Sequence, residues 1–411
     1  MSRLGLLISL VSFSAFAQEP NYVFEDTIND KNLVKLSSYN SYSSNRFNNE
    51  FMDKFLFGGT IDQELKDKNA NRLGRMNTIG GEFEQRVDSY TPDINLFKKE
   101  HLGLKLSFSD NHYISSNLPS DLFQLAMNGN ESYQGDSLDF TFAHAQYLHY
   151  QKLSVGFFDE RNLSSIQISY VTGSKAAEFG LYSSHFYTSP NADSIAASLS
   201  GSGLLTDRFS PYWAFQGGGF SIDIDYNFIF EGKMKDRQII NFKINNLGMI
   251  IWNRSTKNYV IQSNTSFNGF DIQDILNGDS TATQIDVLDT LGISETTGRY
   301  IDFLPVEFVV QKLPDNALER KWQAIYGFKT IMSPDYFPYL YAGAYYRPTP
   351  EFSVSSRLSY GGFAGVRMGV NFNYWLKEKL YFGAGTFDLI GLLSKKIGFG
   401  RGFNFAMYYK L

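Results

Sequence analysis

Residues 219 to 233, GFSIDIDYNFIFEGK, alternate between apolar and polar side chains almost without interruption. The apolar face carries Phe220, Ile222, Ile224, Tyr226, Phe228 and Phe230, and the polar face carries Ser221, Asp223, Asp225, Asn227 and Glu231, interrupted only by Ile229. A period of two over this length is typical of a β-strand with one apolar face. Either a protein core or a lipid bilayer can cover such a face, so the rest of the chain must decide between them.

The same alternation recurs near the C-terminus, in residues 351–361, 365–378 and 402–411. These proline-free runs are longer than the roughly 5–6 residues of most strands in soluble domains. About ten tilted residues cross a bilayer. Less regular strand candidates are 76–88, 102–110, 138–158, 163–173, 177–188, 244–254, 258–267, 303–312, 322–331, 338–347 and 378–390. The count predicts an all-β transmembrane antiparallel β-barrel of about 14 strands, within a range of about 12–16.

The N-terminus predicts a signal peptide over residues 1–17. Arg3 precedes an apolar run, and Ala15 and Ala17 form a small-residue cleavage site before Gln18. After it, no run of 18 apolar residues appears, and the mean hydropathy of the full chain is -0.25. A barrel tolerates this value because its lumen-facing residues are polar. We therefore expect residues 18–411 to form a single outer-membrane barrel domain, whose last strand closes the ring.

Three segments depart from the strand pattern. Residues 48–59 and 119–129 have helical spacing, the second with Ser120 as the expected N-cap and Gly129 as the stop. Residues 270–299 form a long acidic loop. In a barrel of this size, such short helical or loop segments are expected to plug the bore or cap one mouth.

Three segments of the chain resemble a known family. They are NRFNNEFMDKFLFGGTIDQELKDKNANRLGRMNTIGGEFEQRV (45–87), GLKLSFSDNHYISSNLPSDLFQLAMNGNESYQGDSLDF (103–140) and the C-terminal LYFGAGTFDLIGLLSKKIGFGRGFNFAMYYKL. The chain resembles an uncharacterised family of Bacteroidota outer-membrane β-barrels. The resemblance implies a fold similar to long-chain fatty-acid transporter barrels and to barrels of type IX secretion. It implies no catalytic residues.

Enzymatic and cofactor chemistry receive little support from the residues present. There is no cysteine, and the net charge of -5 is unclustered, which argues against a nucleic-acid partner. The SSH triplet ending at His185 favours a polar strand face over a hydrolase site, and SDNH ending at His112 favours a strand-end turn. The acidic loop does not have EF-hand spacing. We predict no enzyme, no catalytic residue, no cofactor and no metal.

Four Asp-Ser/Thr-apolar triplets, among them 136–138 and 193–195, are compatible with O-glycosylation and equally with ordinary loop chemistry.

The polar faces of the strands predict which residues face the lumen. The candidates are Asp223, Asp225, Glu231, Arg357, Arg367, Trp375 and Lys377. Because charge is costly to bury alone, at least one of the acidic residues is expected to pair with an inward Arg or Lys. Trp375, Tyr408 and Ile229 are apolar or aromatic residues on otherwise polar faces, which could form an apolar patch in the lumen.

Three functional hypotheses remain, of which the third, an outer-membrane enzyme, has only weak support from the histidines and serines. The first is passive transport of a small amphipathic molecule through a largely plugged barrel in the bacterial outer membrane, in contact with its lipid. The second is a non-enzymatic structural or accessory subunit of an envelope or secretion complex, with a protein partner at loops 112–137 and 270–299. The sequence favours the first only slightly.

Overall fold

The computed structural model describes residues 32–94, 101–207, 209–231, 237–267, 292–315, 320–376 and 379–411. The predicted signal peptide, Lys377 and most of the acidic loop lie outside these ranges. The strands are β1 (Leu33–Ser44), β2 (Thr78–Thr91), β3 (Leu102–Asn117), β4 (Ser137–Asp139), β5 (His144–Asp159), β6 (Ser165–Leu181), β7 (His185–Thr188), β8 (Ile195–Leu205), β9 (Gly217–Glu231), β10 (Arg237–Trp252), β11 (Lys257–Phe267), β12 (Ile293–Thr297), β13 (Tyr300–Phe303), β14 (Glu307–Leu313), β15 (Trp322–Ile331), β16 (Phe337–Tyr346), β17 (Phe352–Gly362), β18 (Ala364–Leu376), β19 (Leu380–Thr386) and β20 (Gly400–Lys410). The helices are α1 (Asn49–Phe57), α2 (Gln63–Ala70), α3 (Ser120–Asn128) and α4 (Leu389–Leu393). None of these described helices has the length and apolarity needed to cross a membrane.

The long strands close into an antiparallel barrel. Its wall runs in the order β1, β2, β3, β5, β6, β9, β10, β14, β15, β16, β17, β18, β19 and β20. Strand β13 extends β14 along β10, so the two form one interrupted wall strand. Strands β1 and β20 pair from Leu33 and Lys410 to Ser43 and Gly400, which leaves the wall without an open edge. The predicted 14-stranded barrel is confirmed.

The wall strands place their apolar residues outward. On β9, Phe228 is 54% exposed whereas Asp223 is 6% exposed. On β17 and β18, Leu358 and Tyr360 are likewise exposed while Arg357 and Asn371 are buried. Inward polar residues and an outward apolar surface are the arrangement of a membrane barrel, and the reverse of a soluble barrel with an apolar core.

The two ends of the barrel differ. One end carries the start of β1, the end of β20 and short turns such as 160–164 and 347–351. We call this the short-turn end. The opposite, long-loop end carries all four helices and a small extra sheet, in which β8 pairs with β6, β7 and β11, β4 pairs with β7, and β12 pairs with β11.

Helices α1, α2 and α3 form a helical cap at the long-loop end. Phe51, Leu65 and Phe123, one from each helix, pack in one buried cluster with Phe47. The Asn48 side chain accepts a hydrogen bond from the Phe51 amide and so caps α1. On α1, the buried Asn49 side chain donates to the carbonyls of Gly391 and Gly400, which ties the cap to β20.

Several local predictions are corrected. Candidates 163–173 and 177–188 lie mainly on one strand, β6, with β7 following separately, and 138–158 divides into β4 and β5. His112 lies inside β3 instead of in a turn. Helix α3 stops before Gly129 as predicted, but Pro119 occupies its N-cap position. The predicted cap Ser120 instead donates its hydroxyl hydrogen to the Gly74 carbonyl.

Candidate functional site in the barrel interior

Aromatic side chains from strand ends pack together inside the barrel at the short-turn end. This short-turn cluster contains Leu33, Tyr90, Phe158, Tyr381, Ala406 and Tyr408, with Leu163 and Trp375 packed against it. The Tyr381 ring lies 4.9 Å from the Tyr408 ring and 4.6 Å from the Trp375 ring. Trp375 and Tyr408, two of the residues predicted to form an apolar patch, therefore meet here. The third, Ile229, is 38% exposed and lies outside the cluster.

A second apolar cluster lies toward the long-loop end. This long-loop cluster contains Tyr113, Leu148, Tyr150, Val171, Ala176, Leu204, Ile250, Trp252, Leu304, Ile331, Tyr336, Tyr339 and Phe363. Phe363 sits in the β17–β18 turn and lies over Gly80, where an added Cβ would come within 2.2 Å of its ring. A Cβ added at Gly173 would likewise come within 2.5 Å of the Trp252 ring. These two wall positions require glycine because a ring occupies the space of a side chain.

A polar chamber lies between the two clusters, with a cavity volume of about 170 Å³. Its lining includes residues of both clusters, among them Tyr90 and Phe158 at one end and Tyr113 and Tyr150 at the other. The charged lining residues are Lys35, Arg86, Lys105, Lys152 and Lys243, and Glu82, Glu84, Asp88, Asp223, Asp225 and Glu307. The chamber thus presents a charged middle between two aromatic ends.

Most of these charges form ion pairs, either within one strand or between strands. The ammonium of Lys152, 2% exposed, lies 2.6 Å from an Asp223 carboxylate oxygen. Arg86 and Asp88 are paired at 2.8 Å, and Lys243 lies 3.5 Å from Asp225. The prediction that an inward acidic residue pairs with a basic one is confirmed.

One cation outside the lining joins two acidic residues of the chamber. Lys329 on β15 is paired with Glu82 on β2 and with Glu307 on β14. This bridge crosses the lumen, because β2 and β15 are not neighbours in the wall. It partly fills the bore and links opposite strands.

The predicted lumen residues fall into several environments. Asp223 and Asp225 line the chamber, and Trp375 packs on the short-turn cluster. Glu231 is exposed at the short-turn end of β9. Arg357 and Arg367 are 7% and 8% exposed and lie on β17 and β18, away from the chamber lining.

The two buried arginines contact aromatic faces instead of carboxylates. The Arg357 guanidinium lies 4.4 Å from the Phe387 ring centre and 5.3 Å from that of Tyr341. Arg367 lies 5.3 Å from the Tyr339 ring centre. Among the described residues, neither forms a salt bridge, and both Nε atoms are buried without a hydrogen-bond partner.

A carboxylate next to this pair serves a different purpose. The Asp388 side chain accepts from the Gly391 amide at 2.7 Å and so caps α4, outside the wall strands. Burial raises the pKa of Asp388, against the opposing effect of the Gly391 hydrogen bond and of the Arg367 guanidinium. Among the described residues, Asp388 caps α4 and forms no salt bridge with Arg357 or Arg367.

A second polar cluster lies on strands β3 and β5. Asp110, His112 and His149 bring potential metal-binding atoms within 4.8 Å of one another. Tyr212 donates to Asp110 at 2.9 Å and lies 2.7 Å from His112. However, the two imidazole rings stack at 4.1 Å with planes only 7° apart, so their in-plane lone pairs do not converge on one ion. The cluster anchors Tyr212 and, in this arrangement, does not form a metal centre.

Sequence reasoning missed the partners of the predicted residues. Lys152 and Asp223 are 71 positions apart and meet only through the β5–β6–β9 register. Lys329 joins Glu82 from 247 positions away. The available signal was the inward parity of each residue on its own strand, which does not identify a partner.

A family model described as "Family of unknown function (DUF5723)" matches residues 28–385. The chain belongs to the DUF5723 family. Among curated proteins, none matches this DUF5723 barrel.

Several solved structures are similar to this DUF5723 barrel. A FadL homologue from Pseudomonas aeruginosa has 12% identity and a TM-score of 0.43, with 97% of this chain and 95% of that chain covered. The toluene transporter TodX from P. putida has 9% identity and a TM-score of 0.33, with 96% and 94% covered. The translocator domain of the autotransporter NalP from Neisseria meningitidis has 9% identity and a TM-score of 0.31, with 93% and 90% covered. No cargo or mechanism passes to this chain at such identities.

Proposed function

We propose that the protein spans the bacterial outer membrane as a largely plugged barrel and passively passes a small amphipathic molecule. An outward apolar surface on a closed antiparallel wall supports the membrane placement. Because periplasmic turns of such barrels are short, the short-turn end faces the periplasm and the helical cap faces the cell exterior. The role is non-enzymatic.

The lining of the chamber supports the proposal of an amphipathic cargo. A wide aqueous pore would have an open polar lumen, whereas this chamber is bounded by the short-turn and long-loop clusters. A molecule with both an apolar part and a polar part can contact the aromatic ends and the charged middle at once. Side chains such as Phe363 must move for passage, which makes the transport slow and selective.

The test is uptake into liposomes that contain the purified barrel. Hexyl phosphate and hexyltrimethylammonium share one tail, carry opposite head groups and cross bare bilayers slowly. We expect at least one of them to enter barrel liposomes faster than empty liposomes. Phe363→Ala should raise that rate, because it removes the ring that lies over Gly80.

A matched control is Phe228→Ala, which removes an aromatic ring from the outer surface of β9 instead of the interior. It should leave the uptake rate unchanged. Equal uptake of both probes by barrel and empty liposomes, for wild type and Phe363→Ala alike, would rule out the transport proposal.

A second candidate function, an accessory subunit of an envelope complex, has its own support. The extra sheet at the long-loop end and the exposed aromatic side chains of Phe209, Trp213 and Phe215 offer a surface for a protein partner. Affinity purification from native outer membranes in mild detergent tests it. A stoichiometric protein partner would favour this role, and isolation of the barrel alone would argue against it.

A further inference from the structure

Arg357 and Arg367 are unusual among the buried charges of this barrel. Both side chains are more than nine-tenths buried, yet neither has a carboxylate partner among the described residues. Removing a guanidinium from water without a partner has a large cost in desolvation free energy. Near the chamber, the strongly buried Lys152 and Asp88 form salt bridges, whereas Lys105 donates to Ser165 and lies over the Tyr90 ring.

The aromatic contacts compensate only part of this cost. Rings of Phe387, Tyr341 and Tyr339 cover the flat faces of the guanidinium groups. Cation–π contacts of this type contribute less free energy than the desolvation of a guanidinium costs. The N–H donors of arginine lie in the guanidinium plane, however, and a ring above that plane does not accept from them. One Arg367 nitrogen reaches the Gly361 carbonyl at 3.5 Å, whereas the two Nε–H groups remain unsatisfied.

The two arginines lie on neighbouring strands with inward side chains. Ser359 is opposite Arg367, and Gly369 is opposite Arg357, so the two arginines occupy diagonal positions on β17 and β18. The planar donors of arginine match the oxygens of carboxylates and phosphates. An oxyanion between them would accept from both groups at once.

We propose that Arg357 and Arg367 form an oxyanion-binding site for the carboxylate or phosphate head of the transported molecule. The proposal rests on the proposed transport function, specifies its cargo as an anionic amphipath, and adds a head-group site on β17 and β18 that is separate from the charged lining of the chamber. Tyr339, Tyr341 and Phe387 provide the adjacent apolar surface for the tail. Phe387 directly precedes the α4 cap, so entry of the head group requires its ring to move from the Arg357 face.

Binding to the purified barrel in detergent tests the site without any transport step. Calorimetric titrations with hexyl phosphate, hexanoate and hexyltrimethylammonium compare the head groups on one tail. Wild type should bind one or both anions and not the cation. Arg357→Gln and Arg367→Gln should each weaken anion binding at least about tenfold, as expected for the loss of a charged hydrogen bond. Binding of only hexanoate or only hexyl phosphate would identify the head group.

Control variants separate the site from general effects of charge. Arg161→Gln removes an exposed arginine in the 160–164 turn, paired only with Asp159, and should leave binding unchanged. Arg367→Lys keeps the charge but not the planar donors, so its affinity should lie between those of wild type and Arg367→Gln. If a Gln variant fails to fold, as judged by heat-modifiable electrophoretic mobility, the Lys variant provides the same comparison.

The outcomes distinguish the two proposals. Unaltered anion binding in the Arg357→Gln, Arg367→Gln double variant, or no anion binding to wild type, overturns the oxyanion site. Liposome uptake of both head groups at equal rates, independent of these arginines, leaves transport standing and removes the site. Arginine-dependent binding without uptake leaves the site standing and removes transport.

Discussion

The two sides of the barrel interior treat buried charge differently. On the paired wall, strands β2, β5 and β9, Asp88 is held by Arg86 and Asp223 by Lys152. On the arginine wall, strands β17 and β18, Arg357 and Arg367 have aromatic faces in place of carboxylates. The side chains of all these residues lie on the inward-facing side of their strands. Ion pairs stabilise the paired wall, whereas the arginine wall has buried N–H donors without acceptors, which the proposed oxyanion would satisfy.

The largest effect is expected on the paired wall. Asp223→Asn leaves the Lys152 ammonium, 2% exposed, without its carboxylate. Breaking one partner of a buried ion pair costs about 3–5 kcal/mol. We expect the free energy of unfolding in lipid vesicles, measured by denaturant titration, to fall by that amount. A loss below about 1 kcal/mol would mean that water already screens the pair.

Removing both partners should restore much of that loss. Lys152→Met with Asp223→Leu replaces a buried ion pair by apolar side chains, a change that is often neutral or stabilising. We expect the free energy of unfolding of this double variant to lie within about 2 kcal/mol of the wild-type value. The recovery is incomplete because Asn246 loses its contacts with both residues. A double variant as unstable as Asp223→Asn would show that packing, not charge, explains the first result.

A carboxylate can convert the arginine wall into a paired wall. Ser359 is 4% exposed and lies opposite Arg367, so Ser359→Asp places a carboxylate beside that guanidinium. We expect the free energy of unfolding to rise by about 1 kcal/mol, a modest gain because desolvation offsets much of the attraction. Anion binding should weaken at the same time. Ser353→Asp, on the same face near the short-turn end, is the matched control and should leave binding unchanged.

The smallest effect is expected when the unpaired arginines are removed. Arg357→Met with Arg367→Met loses cation–π contacts but also removes two buried, uncompensated charges. The two changes oppose each other, so ligand-free stability should stay within about 1 kcal/mol of wild type. Destabilisation comparable to Asp223→Asn would show that the arginines are structural residues.

The sequence predicted the wall better than the interior. Alternation on β9, β17 and β18 is nearly perfect, and it identified both the faces and the barrel class. Strand β1, LVKLSSYNSYSS, was missed because serine and tyrosine occur on both of its faces. The ion pairs and the unpaired arginines could not be predicted, since partners depend on register between strands that are far apart in sequence.

The most direct test of the oxyanion site is a crystal structure of the barrel with hexyl phosphate bound. We expect phosphate oxygens within hydrogen-bond distance of both Arg357 and Arg367, with the Phe387 ring displaced from its present position. A head group bound to Lys35 and Lys105 in the chamber, with both arginines unchanged, would contradict it.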